Sequence, residues 1–430
     1  MPSSTVEEGV PPPPPPSVRP AVAVQAGGGG FTQHALRQVE LKPTTTARDS
    51  SAPQLATFAE SAEDVRVYQN AVLDINIESW YPLIADFTFP TEFVPMTQAD
   101  GQLFVDSYLA YEAHLKRQTT HGLPPSEFVP PPELVERAAA MAERLQLAVE
   151  SVREAEGKPV FIKASSRSAK DAPTSQQRLG ELYRERLAEF AVRAEPDDNA
   201  KLRCMLAAGL ELMKAFGADD ALALFLRSER IYQDMLLALE RPERWDENFA
   251  VRQWVDIDVS MEFRGFVKGG RLCALSQYNH LCFFPELPRM KSALEAQIRK
   301  FYVEHIQSRL GSAFQDYVID FAVTGSSGGL PQQGEQDFKI WVIELNPFME
   351  TTDGCLFSWS HERHILEGSA SSEGGGGSEV GGSADDRLDP EPFEFRLVQS
   401  VIRGAKALVA SDWRQLLESD STWQAGGLRG

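Results

Sequence analysis

The sequence predicts an α+β protein whose strands are mainly antiparallel. Three observations support that class. Residues 132–154 and 176–240 place apolar side chains at three- and four-residue steps, the period of a helix. Residues 250–278 and 314–346 alternate apolar and polar positions, the period of a strand, and the amphipathic helical stretch 285–310 separates the two runs. Neither the P-loop nor the dinucleotide-binding glycine fingerprint occurs, and no internal repeat is present.

Taken in order, residues 1–55 hold the proline run Pro11 to Pro16 and the glycine run Gly27 to Gly30, with too little apolar material to pack, and are expected to be disordered. A helix-rich N-terminal lobe is expected over 56–250. Its start is placed near "NIESWYPLIADFTFPTEFVPM", 76–96, read as short extended segments, and Asp219 and Asp220 are read as helix N-caps. A second lobe, 251–366, opens with "MEFRGFVKGGRLCALSQ", two alternating runs joined through Gly269 and Gly270, a two-residue hairpin signal. Its later strands meet across the polar tip "GSSGGLPQQGEQ". A flexible acidic Gly/Ser insert, 367–390, leads to a closing segment, 391–430, read as a strand and a tail helix.

Composition narrows the partners. The 430 residues are 42% hydrophobic and 24% charged, ordinary for a globular chain, and 62 acidic against 42 basic residues give a net charge of −20. Such a charge repels nucleic acid and anionic membranes, so neither is expected as a partner. No apolar run approaches the roughly 20 residues that span a bilayer, and neither a secretory nor a transit signal is read at the start. Cys204, Cys273, Cys282 and Cys355 lack a close-spaced framework, which points to reduced thiols in a cytoplasmic protein. The spacing of Cys273, His280 and Cys282 matches no structural zinc pattern. His280 stands near the hairpin as a minor candidate for chemistry, and His361 and His364 read as surface residues.

Candidate chemistry gathers on the strands. Alternation places Ile340, Val342, Glu344 and Asn346 on one face of "VIELNP", and Val318, Asp320 and Ala322 on one face of "VIDFAV". If these strands form a hairpin, Asp320 and Glu344 stand side by side, and two such carboxylates require positive charge between them. Magnesium suits that set, with Asn346 adding an amide oxygen. Equally, each acid could pair with a lysine or arginine while Asn346 only shapes the Asn-Pro turn. On the basic side, "VFIKASSRSAKDA" is a strand bearing Lys163, followed by a Ser-rich loop that can wrap phosphates. In "MEFRGFVK", Glu262 and Arg264 share a face, and an arginine there can grip a phosphate through its planar fork. Together these features describe a site for a magnesium-bound nucleotide.

The combination of "WYP", "VFIKASSRSAKDA", "VRQW", "MEFRGFV", "VIDF", "IELNPF", "TDGCLFSW" and "FRLV", in that order, resembles the cell division cycle protein 123 family. That resemblance implies an ATP-grasp-like fold, two lobes with flanking helices and a nucleotide cleft between them. It also implies Mg-ATP binding, and assembly of the heterotrimeric translation initiation factor 2 through its gamma subunit, by a protein that is monomeric when unbound. By the same resemblance, Lys163 contacts phosphate, Ser166, Ser168 and Lys170 lie in the loop over the nucleotide, and Arg252, Gln253 and Trp254 border the adenine. Glu262 and Arg264 then face ribose and phosphates, and Asp320, Glu344 and Asn346 form the magnesium set. The chain departs from the family pattern in carrying Ser166 where an aromatic is usual and Glu344 where an Asp is usual. The alternative is an ATP-grasp ligase or phosphoryl transferase with an unidentified carboxylate or hydroxyl acceptor. A scaffold without nucleotide is favoured instead if Asp320 or Glu344 is capped by a basic side chain.

Overall fold

The computed structural model describes residues 62–122, 128–172, 176–326, 329–331, 338–369 and 392–409, together with Arg414 and Leu417. The expected disordered N-terminus, nearly all of the Gly/Ser insert and much of the 325–336 tip lie outside the described residues. Helices α1 (Ala62–Asp74) and α2 (Ile77–Ile84) come first, then strand β1 (Thr91–Pro95) and helices α3 (Gln98–His121) and α4 (Pro132–Val152). Strand β2 (Val160–Ala164) precedes helices α5 (Gln176–Ala191), α6 (Asp198–Glu211), α7 (Ala218–Phe225) and α8 (Glu229–Leu239). Next come β3 (Asn248–Gln253), β4 (Glu262–Lys268), β5 (Arg271–Gln277), helix α9 (Leu287–Phe301), β6 (Tyr317–Gly325), β7 (Phe338–Pro347) and the short β8 (Glu394–Arg396).

These strands form two sheets, one in the order β1-β3-β2 and the other β7-β6-β4-β5-β8. Every pairing is antiparallel except β5 with β8, so the α+β class with mainly antiparallel strands is borne out. The hairpin between β4 and β5 turns at Gly269 and Gly270, both with positive φ, 57° and 71°, which side chains other than glycine resist.

Each sheet has its own core. Phe263, Val267, Tyr317, Ile319, Phe321 and Val342 of the five-stranded sheet pack with Ile298 of α9, Trp80 of α2, Tyr183 of α5 and Met205 of α6. Around the three-stranded sheet, Ile162, Phe249 and Val251 pack with Phe104 of α3, Leu145 of α4, Phe225 of α7 and Met235 of α8. Chain order and core therefore cross: α2, α5 and α6 precede residue 250 yet seal the sheet that follows it, and the expected boundary at 250/251 falls inside β3. Among the described residues no helix is long and apolar enough to cross a membrane.

Two local expectations are corrected. "WYP" is helical, because the buried side chains Ile77, Trp80 and Ile84 recur at helical steps and their burial overrides Pro82. Helix α7 is capped at Gly217, with Asp220 in its first turn accepting from the backbone N–H groups of Phe216 and Gly217. Of the tail helix, the described residues show a 3-10 turn at Ala405–Leu408 and helical backbone at Arg414 and Leu417, and the other residues after 409 lie outside the described ones.

Gly265 in β4 is a point of close approach. A methyl group there would meet Leu272 Cδ1 at 2.7 Å, Phe321 Cε2 at 3.0 Å and Ile319 Cγ2 at 3.1 Å. Gly265→Ala is therefore expected to overpack the core and lower stability by about 1–3 kcal/mol in urea unfolding; an unchanged midpoint would show that these neighbours yield freely.

Candidate functional site

Register decides which side chains meet. Strand β4 pairs with β6 so that Arg264 lies opposite Asp320, and β6 pairs with β7 so that Asp320 lies opposite Glu344 and Val318 opposite Asn346. A bulge shifts the register of β7, leaving Phe321 opposite Val342. Val342 and Ile340 therefore pack in the core with Phe321 and Val323, while Glu344 and Asn346 stand on the Asp320 face. This corrects the single face expected for Ile340, Val342, Glu344 and Asn346. Asp320 and Glu344 are adjacent as expected.

The positive charge those two acids require comes from the protein. Arg264 grips Asp320 through two hydrogen bonds, Nε to Oδ1 at 2.8 Å and Nη2 to Oδ2 at 2.7 Å, and both side chains are almost fully buried. Burial opposes the guanidinium charge, but Asp320 more than offsets it and holds the Arg264 pKa above its ordinary value. The Asn346 amide donates to the same carboxylate at 3.2 Å. Lys163 Nζ lies 3.1 Å from Glu344 Oε2 and also donates to the Ser166 carbonyl. Against burial, which raises it, the Lys163 and Lys170 charges draw the Glu344 carboxyl down to about 2. Acid and base are thus interleaved rather than facing each other across a gap, because β4 and β6 are hydrogen-bonded neighbours and their registered side chains touch. Asp320, Glu344 and Asn346 offer the hard oxygen donors that magnesium accepts. Among the described residues no group of three or more His, Cys, Asp or Glu side chains is arranged to hold a metal.

Beside these pairs an open cleft lies between the two sheets. Lys170, Arg252, Gln253, Trp254 and Glu262 all line it, so five residues named from the sequence converge on one space. Its apolar wall includes Phe89, Phe161, Leu206 and Met213. Arg252 also ties the sheets together. Fully buried, it donates to the Ile343 carbonyl at 2.7 Å and to Thr88 Oγ1 at 2.6 Å, joining β3 to β7. The Trp254 indole donates to Asp256 and carries Lys214 over its ring. Burial raises the Glu262 carboxyl to about 7, with Lys170 pulling the other way.

Lys163, Ser166 and Asn346 line a second, small cavity with Ser165, Arg167 and Thr352. Ser166 donates to Asp234, which also takes a buried ion pair from Arg167, so this hydroxyl is fixed away from the larger cleft. Ser168 is buried in the same turn. His280 Nδ1 lies 3.1 Å from the Tyr278 carbonyl and is not among the cleft-lining residues, while His361 and His364 are exposed.

Sequence reading missed Tyr278, Asn279 and Phe89 of the cleft, and Asp234 beneath it. Tyr278 and Asn279 follow β5 in irregular chain, where no period marks a face, and Asp234 reads as one more polar position of a helix. The stacking of the Arg264 guanidinium over the Tyr278 ring, 5.0 Å from its centroid, has no signature in spacing.

The D123 family model matches residues 207–413. The resemblance read from the motifs is borne out. Two curated relatives are each a translation initiation factor eIF2 assembly protein. That of Xenopus laevis is 32% identical over 116 residues, 27% of this chain and 30% of its own length. That of Lodderomyces elongisporus is 27% identical over 169 residues, 35% of this chain and 40% of its own. The alignments thus span well under half of those relatives. The solved structure of Cdc123 from Schizosaccharomyces pombe is similar at 20% identity, covering 76% of this chain and 98% of that one, with a TM-score of 0.45. The D123 segment holds Arg252, Gln253, Trp254, Glu262, Arg264, Asp320, Glu344 and Asn346, whereas Lys163, Ser166, Ser168 and Lys170 precede it.

At the cleft wall of the D123 segment, the folded protein keeps a proton on Glu262 that the unfolded chain loses between the ordinary glutamate value and about 7. Stability from this group is therefore lost as pH rises through that window. Glu262→Gln is expected to exceed wild type by about 1–3 kcal/mol near pH 8 and to match it near pH 4 in urea unfolding; equal stability at both would show the carboxylate ionises freely in the fold.

Proposed function

We propose that this chain is a Mg-ATP-binding assembly chaperone that promotes formation of translation initiation factor eIF2 by holding its gamma subunit. The assembly role is supported by the names of the relatives matched to the D123 segment. Nucleotide binding is supported by one observation above the others: the cleft between the sheets gathers Lys170, Gln253, Trp254 and Glu262 against an apolar wall, beside the Lys163–Glu344 and Arg264–Asp320 pairs. In this reading the fold works as an ATP-grasp-like clamp. The base lies against Phe161, Leu206 and Met213, and Glu262 meets the ribose. The phosphates lie toward Lys163 and Lys170.

Asp320, Glu344 and Asn346 would hold magnesium, which supplies charge neutralisation for the phosphates when bound. Lys163 then exchanges its carboxylate partner for a phosphate. The nucleotide orders the two sheets about the cleft, and the outer surface retains the client. Holding a client in this way requires no hydrolysis.

A second reading has its own support. Both acids already carry a basic partner, which favours a scaffold that holds its client without nucleotide. One set of measurements separates the two. Immobilised protein is offered purified gamma subunit with and without Mg-ATP, while calorimetry follows Mg-ATP binding to wild type, Asp320→Asn and Glu344→Gln. The expected outcome is retention of the gamma subunit, Mg-dependent nucleotide binding by wild type, and affinity weakened by more than about tenfold in both variants. Retention with no heat of nucleotide binding would establish the scaffold reading, and loss of retention would reject the assembly role.

A further inference from the structure

Behind the turn that follows β2 lies a buried cluster with more acceptors than donors. Asn76 occupies the N-cap position of α2 but makes no side-chain cap bond, and its Oδ1 has no hydrogen-bond partner although the residue is only 6% exposed. Its side chain lines the second cavity together with Ser165. Glu78, two residues on, accepts the Ser165 hydroxyl proton on Oε1 at 2.6 Å, and its Oε2 is buried without a partner. Glu247, just before β3, is 4% exposed and lies beside Ser165 and Asn76, and its Oε2 is also unpartnered.

Ser165 has one proton to give, and Glu78 has taken it. Its oxygen accepts from the Asn248 backbone N–H at 2.8 Å. Three buried oxygens, one from each of Asn76, Glu78 and Glu247, are thus left without a hydrogen-bond partner. Nearby cations are committed elsewhere: Lys163 to Glu344, and Arg167 to Asp234. Burying two carboxylates under these conditions is expensive. Such a cluster is completed by a species that only accepts electron pairs.

We propose that Asn76, Glu78, Glu247 and Ser165 form an oxygen-lined site for a hard metal cation, separate from the nucleotide cleft. Amide, hydroxyl and carboxylate oxygens suit calcium, magnesium or potassium and not the softer transition metals. With only two carboxylates, this group falls outside any cluster of three or more acidic, His or Cys ligands. Its place gives it a consequence. Ser165 lies two residues after Lys163, its carbonyl accepts the Ile77 N–H, and the Ala164 N–H donates to the Arg167 carbonyl. A cation here would pin α2, the β2 turn and the start of β3 together, and so fix the strand end that presents Lys163. Such a site does not depend on nucleotide binding.

The test is thermal unfolding of nucleotide-free protein in calcium, magnesium, potassium or choline chloride at matched ionic strength. At least one metal ion is expected to raise the midpoint over choline by about 3 °C or more. Glu247→Gln should remove that difference, while Glu344→Gln should keep it, which separates this site from the carboxylates beside the cleft. Should Glu247→Gln fail to fold, Asn76→Ala, which deletes a neutral ligand, takes its place. Equal midpoints in all four salts would overturn the proposal and leave water and a shared proton as the occupants. A metal-dependent shift that survives loss of Glu247 or Asn76 would place the ion elsewhere and overturn it equally.

Discussion

The structure depends on how the two sheets are joined, and the join is made at one place on β7. Lys163 of β2 reaches Glu344, Arg252 of β3 reaches the Ile343 carbonyl, and the Thr88 hydroxyl donates to the Val342 carbonyl at 2.7 Å. Three consecutive residues of one strand thus receive three ties from the segments across the cleft. Two of those ties end on backbone carbonyls of β7, the edge strand of its sheet, next to the bulge between the Asp320 and Phe321 pairings. The third is an ion pair with little exposure, 4% on the lysine and 16% on the glutamate. Breaking one partner of such a pair is costly in a way that losing an exposed one is not.

The same join explains why the charges near the cleft are balanced in spite of a net charge of −20. Arg264 neutralises Asp320, Lys163 neutralises Glu344, and Lys170 lies close enough to hold down the pKa of Glu344 and Glu262. Locally the surface is neither acidic nor basic. In the proposed complex with a magnesium-bound nucleotide, the lysines would turn to the anion and the carboxylates to the cation.

Much of this was legible in the sequence where a strict period holds. Alternation put Glu262 with Arg264 on one face of β4 and Val318, Asp320 and Ala322 on one face of β6, and two adjacent glycines located the hairpin. It failed where the period breaks. The shift in β7 returns Val342 to the core while leaving Glu344 on the polar face, and no pattern of apolar and polar residues reveals an extra residue in a strand. "WYP" misled because proline suggests extended chain, whereas burial of Trp80 settled the matter in favour of helix. The bases were recognised but their partners were not. Spacing tells which face a lysine occupies and is silent about which strand will cross in front of it, so Lys163 and Arg264 were read as waiting for phosphate when each already holds an acid. Asp234, which fixes Ser166 and Arg167, lies 67 residues from that arginine, beyond the reach of any local pattern.

The claim that the sheets are coupled through Lys163 and Glu344 is most directly tested by a double-mutant cycle on stability, with Lys163→Met, Glu344→Gln and the pair measured by urea unfolding. Coupling of more than about 1 kcal/mol, with the double variant more stable than the sum of the single losses allows, is the expected result. Single effects that add to within about 0.5 kcal/mol would contradict it and show that the two sheets are held together without this pair.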